Sequence, residues 1–272
     1  MHWREIAVSV IQTYSKLASK YESRENLASL WGKITERTFC ALQLKENPKL
    51  VVEVGCGPGL ELASLVESGN TDVQFIGVEP AENLRISANE KLKAFGNAEV
   101  LDGKFEELPL ESASVDHLYS ILAFHWTKDL NKSVQELARV LKPDGHLDLL
   151  FIGKDAGKDF LKKISPIYFK KLSARQVLDM ASERQRLTAE EVEEAFRPFF
   201  ADRKLEITET FETFYDTLEG HWSWWCRIEG QFATMSQETR KECDDAAREA
   251  LKALETENGI PYTAHLFHVS VR

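Results

Sequence analysis

Val51-Val52-Glu53-Val54-Gly55-Cys56-Gly57-Pro58-Gly59 is the stretch on which the reading of this 272-residue chain turns. Three of its first four residues are valine, the β-branched type that suits a buried strand. Three glycines at alternate positions then break the run, and Leu60-Glu61-Leu62-Ala63-Ser64-Leu65 resumes as a helix. Strand, glycine loop and helix in that order form the front half of a nucleotide-type βαβ unit. Glycine belongs in such a loop because a ligand must lie against bare backbone, with no Cβ in the way.

The glycine spacing separates two classes of ligand. A dinucleotide fingerprint places its third glycine three positions after the second, and Leu60 stands there instead. The loop reads Gly-x-Gly-x-Gly, with Glu53 two residues before the first glycine. Phe75-Ile76-Gly77-Val78-Glu79-Pro80 reads as the next strand. It ends in an acid about 20 residues after the loop, where a ribose-binding carboxylate belongs. A carboxylate there can accept from both ribose hydroxyls.

This loop and the following acid resemble motif I and the strand-two acid of the class I S-adenosylmethionine (SAM)-dependent methyltransferases. The resemblance implies SAM as cofactor, with Glu53 organising hydrogen bonds to the methionyl ammonium. Gly55, Cys56, Gly57 and Gly59 would line the cofactor, and Glu79 with Pro80 would meet the ribose. Asp102-Gly103-Lys104-Phe105-Glu106-Glu107-Leu108-Pro109-Leu110 resembles the family segment that contacts adenine. Aligned on Leu108-Pro109, Lys104 stands where an acid is common and Phe105 where a backbone N–H meets the base. Asp102 is the residue that would replace the missing acid. Ser114–Leu122 reads as strand four, with Ile121 at its cofactor end. The run ELARVLKPDGHLDLLF, residues 136–151, resembles the family's helix–turn–strand signature, with Lys142-Pro143-Asp144-Gly145 as the turn and Leu147–Ile152 as strand five.

The implied fold is α/β, a doubly wound Rossmann-like seven-stranded sheet with N-terminal cap helices and helical insertions. No linker rich in Pro, Gly or Ser divides the chain, so one domain is expected over 1–272. Residues 1–46 would form a helical cap, 47–153 the SAM-binding core, and 154–272 the substrate-side helices and last two strands. Helical periodicity runs from residue 3 to about 45 through Ile6, Val10, Tyr14, Leu17 and Tyr21. Tyr21 and Arg24 are similar to a Tyr–Arg pair that closes over SAM in small-molecule members. Thr188-Ala189-Glu190-Glu191 is a capping box opening a helix that should end near Pro198. Leu205–Tyr215 alternates like an edge strand, Met235–Leu254 reads as a polar helix, and His265–Val271 as a final strand.

Lys+Arg 34 against Asp+Glu 44 leave a net charge of −10. An acidic surface repels phosphate backbones, so no nucleic-acid partner is expected, and no Asn/Asp-Pro-Pro-Tyr amide-methylating motif follows strand four. No apolar run has the length of a membrane span. The N-terminus lacks a signal peptide's apolar core. Cys40, Cys56, Cys226 and Cys243 form no Cys-x-x-Cys pair, which argues against a zinc site or a disulfide scaffold. A cytoplasmic monomer or homodimer acting on a small-molecule substrate is the expectation. The alternatives are a catalytically silent SAM-fold protein that serves a regulatory or interaction role, against which intact Glu53, glycines and Glu79 argue, and a protein or nucleic-acid methyltransferase, which the acidic charge and the missing motif disfavour.

His125, in Ala123-Phe124-His125-Trp126, follows strand four beside the expected methyl position. It is a candidate base or a holder of an acceptor oxygen, with capping of the next helix as the structural alternative. That tetrad and the tail pattern resemble trans-aconitate methyltransferase relatives, which methylate small carboxylates. Gly77-Val78-Glu79-Pro80-Ala81-Glu82 and Leu187–Glu191 are similar to histamine N-methyltransferase, which points to an amine. Tyr119, Tyr168, Trp222, Trp224 and Trp225 are the candidates for an aromatic cage around such a cation. Carboxylate oxygen and amine nitrogen therefore both stand as acceptors.

Overall fold

A computed structural model describes residues 10–68, 71–227 and 235–272. The N-terminal helical region is four short helices: α1 (Val10–Lys16), α2 (Ala18–Tyr21), α3 (Arg24–Leu27) and α4 (Leu30–Ala41). Its apolar periodicity hides two restarts. The Ser23 hydroxyl accepts from the Asn26 N–H and the Ser29 hydroxyl from the Gly32 N–H, each a side-chain N-cap. Ile6 lies outside the described residues.

The central run follows the expected order. It comprises β1 (Leu50–Val54), α5 (Leu60–Glu67), β2 (Gln74–Val78), α6 (Glu82–Leu92), β3 (Ala98–Leu101), β4 (Val115–Ile121), α7 (Leu130–Val140) and β5 (Leu141–Ile152). Beyond it come α8 (Lys158–Phe169), α9 (Ala174–Ala181), α10 (Ala189–Phe200), β6 (Leu205–Asp216), α11 (Leu218–Arg227), α12 (Gln237–Lys252) and β7 (Ile260–Val271). The seven strands form one sheet in the order β3-β2-β1-β4-β5-β7-β6. The first five are parallel, and β7 lies antiparallel to both β5 and β6. The order reverses between β1 and β4. In an open α/β sheet the crevice beyond the strand ends at such a switch point is where ligands bind. Among the described residues no helix is long and apolar enough to cross a membrane.

Each face of the sheet has its own core. Val52, Val54, Leu118 and Leu149 pack with Val134, Leu137 and Phe196, which brings α7 and α10 onto one face. Val51, Phe75 and Val100 pack with Leu62, Val66 and Leu92 on the other. Burial of each large apolar side chain contributes roughly 1.5–3 kcal/mol. A further cluster joins Ile34, Phe160, Trp224, Trp225 and Leu251 to Ile152 and Leu266. It glues α4, α8, α11 and α12 to the β5/β7 side.

Three boundaries differ from the sequence expectation. Strand β5 starts at Leu141, which pairs with Val115, and the register shifts before His117 meets His146. Lys142-Pro143-Asp144-Gly145 is thus an irregular stretch of strand, where Pro143 has no ladder bond to donate. Asp116 anchors it by accepting from Lys142 Nζ at 2.8 Å, and also accepts from the Lys49 and Leu50 N–H groups at the start of β1. Strand β7 begins at Ile260, because β6 pairs with it along all twelve residues, with Pro261 opposite Tyr215. Helix α10 continues through Pro198 to Phe200, since Phe196 and Phe200 are both held in the core.

Candidate cofactor and acceptor site

The glycine loop sits at the switch point, and each glycine has its own reason. Gly55, Gly57 and Gly59 all have left-handed backbone, with φ of 73°, 53° and 73°. A Cβ on Gly55 would stand 2.3 Å from the Ala123 Cβ, so the loop lies directly against the segment that follows β4. A Cβ on Gly57 would meet nothing within 4 Å, which leaves open space over the middle of the loop. The Cys56 side chain is buried, and burial pushes its thiol well up, which keeps it protonated.

Acids surround this space. Glu79, at the end of β2, is buried, and its two oxygens accept from the Gly57 N–H at 2.9 Å and the Ala81 N–H at 2.8 Å. Burial pushes its carboxyl up to about 7, against the pull of those two bonds. Each oxygen keeps a lone pair for a further donor. Glu53, on β1, is buried and accepts from the Tyr119 hydroxyl at 3.0 Å. Burial first, and then the neighbouring carboxylates of Glu61 and Glu79, raise its carboxyl well above the ordinary value. Glu61 itself is raised by burial. Burial raises all three acids, and Glu61 and Glu79 further disfavour the ionisation of Glu53, so a sulfonium or ammonium group beside them relieves that cost. The residues present therefore fit SAM. Sequence reading missed Glu61; its one signal was an acid in the first turn after the glycine loop.

The adenine-side candidates separate. Asp102, just after β3, is exposed and lies 3.2 Å from the Arg85 guanidinium. Lys104 is exposed, with its backbone bridged to Glu107. The Phe105 ring is buried edge-on against Phe124, at 5.1 Å between centroids, so its side chain belongs to the core. Pro80 follows Glu79 half-buried, and Ile121 closes β4. Tyr21, at the end of α2, packs on Tyr14 at 5.1 Å, and Tyr14 meets Trp126 edge-on at 5.7 Å. Ser15 holds Asn83 on α6 through two hydrogen bonds. The N-terminal helices thereby span the cleft from α6 to the segment after β4. Arg24 opens α3.

That segment is strained and tightly held. Leu122 takes a left-handed φ of 56°, a conformation that costs a non-glycine residue of order 1–3 kcal/mol. It turns the chain into a single 3-10 turn, Phe124–Trp126. His125 is 2% exposed, and its Nδ1 is buried without a hydrogen-bond partner. Leaving such a bond unmade costs about 1–3 kcal/mol. Burial, and then the charge of Arg184, push the imidazole well below its ordinary pKa, so it is neutral at pH 7. Capping of the next helix falls to Asp129, whose carboxylate accepts from the Lys132 N–H at 3.0 Å. Glu106, unmarked in the sequence, fixes the turn by accepting from Thr127 Oγ1 and the N–H groups of Lys128 and Asp129.

The aromatic cage does not form. Tyr119 is fully buried against Glu53, while Trp224 and Trp225 are buried around Phe160. Tyr168 is buried and donates to Asp244 at 2.7 Å. These rings are packing, as aromatics on helices commonly are.

Residues 52–149 match the family described as a methyltransferase domain. The match spans the run from β1 into β5. It contains Glu53, the three glycines, Glu79, the Asp102–Phe105 stretch and His125. The chain is 30% identical over 157 residues to a malonyl-[acyl-carrier protein] O-methyltransferase of a Methylovorus species, a match over 55% of this chain and 52% of that protein. It is 26% identical over 172 residues to a ubiquinone/menaquinone biosynthesis C-methyltransferase of Campylobacter jejuni, over 60% and 72% of the two chains. The chain thus spans about half the length of the first of these relatives. Among solved structures, the YcgJ protein from Bacillus subtilis shares the fold, with a TM-score of 0.58 and 17% identity over 88% of this chain and 97% of that one. Tyr21 and everything beyond residue 149 lie outside the methyltransferase-domain match.

Proposed function

We propose that the whole chain is a SAM-dependent methyltransferase acting on a small-molecule acceptor held beside His125. One observation carries this: the buried acids and open glycine loop at the end of β1 abut, through Gly55 and Ala123, the turn that holds a buried imidazole with a free Nδ1. Gly55, Gly57 and Gly59 would take the cofactor's backbone-facing edge, Glu53 its ammonium, and Glu79 with Pro80 its ribose. Asp102, Lys104 and Phe105 would lie along its adenine, with Cys56, Ile121 and Tyr21 around it. When bound, SAM supplies an electrophilic methyl carbon; an acceptor lone pair forms the new bond and the sulfur keeps the electrons of the old one.

Positioning is what the protein adds. His125, neutral and dry, suits holding an acceptor atom by a hydrogen bond better than removing a proton, because its lowered basicity makes it a weak base near neutral pH. Oxygen or nitrogen acceptors both accord with that role. The relatives named for O- and C-methyl transfer support a carrier-linked or small organic acceptor and add carbon to the atoms to be screened. The proposal includes a cytoplasmic monomer or homodimer with no nucleic-acid partner.

Calorimetric titration with SAM, S-adenosylhomocysteine and NAD tests the reading. Binding of the first two and not the third is expected. A folded sample that binds neither sulfur compound would overturn it.

A further inference from the structure

Strand β6 ends one side of the sheet with its edge open. Natural sheets blunt an edge by keeping its strand short, or with Lys, Pro or a bulge. The strand at the opposite edge, β3, is four residues long. By contrast β6 has twelve residues and no Pro, Lys or Arg, and it pairs with β7 in unbroken register. Among the described residues no strand lies on its outer side. Its hydrogen-bonding groups alternate. Lys204 and Arg272 exchange both backbone bonds, at 3.2 and 3.0 Å, so the even-numbered residues that follow face β7. In an antiparallel ladder the residues between them turn their N–H and C=O groups the other way. Those are Leu205, Ile207, Glu209, Phe211, Thr213 and Tyr215, whose side chains share one face of the sheet. Leu205 and Ile207 reach the core beneath α10, whereas Phe211 and Tyr215 are 56% and 51% exposed.

The strand is also complementary to itself. Laid antiparallel against a second copy with Thr210 on a two-fold axis, every residue from Lys204 to Asp216 finds a partner. Lys204 then stands opposite Asp216, Leu205 opposite Tyr215, Glu209 opposite Phe211, and Glu206 opposite Phe214. Phe211 and its copy are diagonal neighbours, a spacing that aromatic rings can bridge. No acid faces another acid. A slide of two residues is the smallest that keeps the outward-facing groups paired. In one direction it sets Glu206 against Glu212, in the other against Asp216, and like charges directly opposite destabilise a pair of strands. Parallel pairing in register would place every acid on its own copy. Two of the acids already have a basic group at hand: Arg37 of α4 holds Glu212 by two bonds at 2.6 Å, and His265 Nε2 lies 2.8 Å from Glu209.

We infer that β6 is a homodimerisation edge, through which two copies of this chain join antiparallel about a two-fold axis at Thr210 into one continuous sheet. Main-chain bonds along the strand supply the attraction, and the acids select the register. An isologous joint of this kind closes on itself, so assembly stops at two copies. It lies three strands beyond β4 and takes no residue from the cleft at the switch point, so the inference does not depend on which ligand that cleft binds.

The test uses the full chain at low salt. Sedimentation equilibrium should show monomer and dimer in exchange. Backbone hydrogen exchange, read residue by residue, should slow with rising protein concentration at the outward-facing amides of Ile207, Glu209, Phe211 and Thr213. It should not change at Thr208, Thr210 and Glu212, which already bond to β7. Thr210 is exposed, so Thr210→Glu and Thr210→Lys should each leave the monomer folded. Each nevertheless sets two like charges against one another across the axis and should dimerise at least about threefold more weakly than the wild type. An equimolar mixture of the two variants pairs opposite charges and should recover the wild-type affinity or exceed it. A chain that stays monomeric with freely exchanging outward amides leaves the edge to a different protein and overturns the inference. So would variants that dimerise like the wild type, a mixture no tighter than either variant alone, or concentration-dependent protection confined to another surface.

Discussion

Replacing Glu79 by Gln separates what this carboxyl does for the fold from what it does for a ligand. Burial raises it from 4.5 to about 7 in the folded chain. The folded-state value lies above the unfolded one, so the stability it contributes is full below about 4.5 and is lost as pH rises through about 7. Two and a half units correspond to about 3 kcal/mol. Glu79→Gln cannot titrate. Its amide also turns an N–H toward Gly57 or Ala81, where an acceptor stood, at a cost of about 1–3 kcal/mol that does not depend on pH. The wild type should therefore be clearly the more stable at pH 5, and most or all of that lead should vanish by pH 8. Urea unfolding of both proteins across that range measures it. Parallel stability curves would refute the reasoning, because they would mean that the bonds from Gly57 and Ala81 outweigh burial and keep the carboxylate ionised throughout. Ligand affinity should run the other way. If ribose hydroxyls donate to the ionised carboxylate, S-adenosylhomocysteine binds the wild type more weakly as pH falls below about 7, and Glu79→Gln is more than tenfold weaker at pH 8 with no slope in this window from residue 79.

Gly57→Ala should cost only about 1–2 kcal/mol, the strain of a left-handed backbone, yet abolish S-adenosylhomocysteine binding, because its Cβ enters the open space over the loop. Gly55→Ala should cost more, since its Cβ overlaps that of Ala123; thermal unfolding and calorimetry on the pair read both effects, and binding retained by Gly57→Ala would move the ligand elsewhere. In the wild type near pH 6.5, S-adenosylhomocysteine binding should release protons as Glu53 and Glu79 ionise beside the ammonium and ribose. Glu53→Gln should bind more weakly and release fewer, measured from the dependence of binding heat on the buffer. His125 is held below its ordinary pKa, so the unfolded chain binds its proton first and the fold should lose stability as pH drops below about 6.5. In His125→Phe that part of the acid sensitivity should disappear, and Arg184→Gln should raise the imidazole pKa in an NMR titration.

What the sequence disclosed is what short spans can encode. The Val51–Gly59 run carries both the strand and the turn geometry, and the three glycines prove to be three left-handed residues. The alternation in Leu205–Tyr215 marks an edge strand in which Leu205 and Ile207 pack on the α10-side core while Phe214, on the other face, packs against the cluster of α4, α8, α11 and α12. Other features needed the third dimension. The restarts at Ser23 and Ser29 are caps overlaid by a continuous apolar stripe, so periodicity ran through them. Pro261 and Thr263 interrupt the strand pattern of β7, and only its full pairing with β6 draws that strand out to Ile260. Glu61 and Glu106 read as surface acids until burial and backbone donors give them their roles. The aromatic cage failed for the same reason in reverse: tryptophans that a motif could assign to a ligand pack against Phe160 and Tyr262 instead.

On the methyltransferase proposal, the two halves of the reaction fall to differently encoded parts of the chain. Cofactor chemistry is the same for any acceptor, and the residues proposed for it (the glycine loop, Glu53, Glu79 and the turn after β4) all lie within residues 52–149, where the methyltransferase-domain match also lies. Outside that segment, α4, α8, α11 and α12 pack together in an apolar cluster that takes in Ile152 of β5 and Leu266 of β7. The Gln185 N–H donating to the His125 carbonyl is one of the points where the later helical region meets that segment.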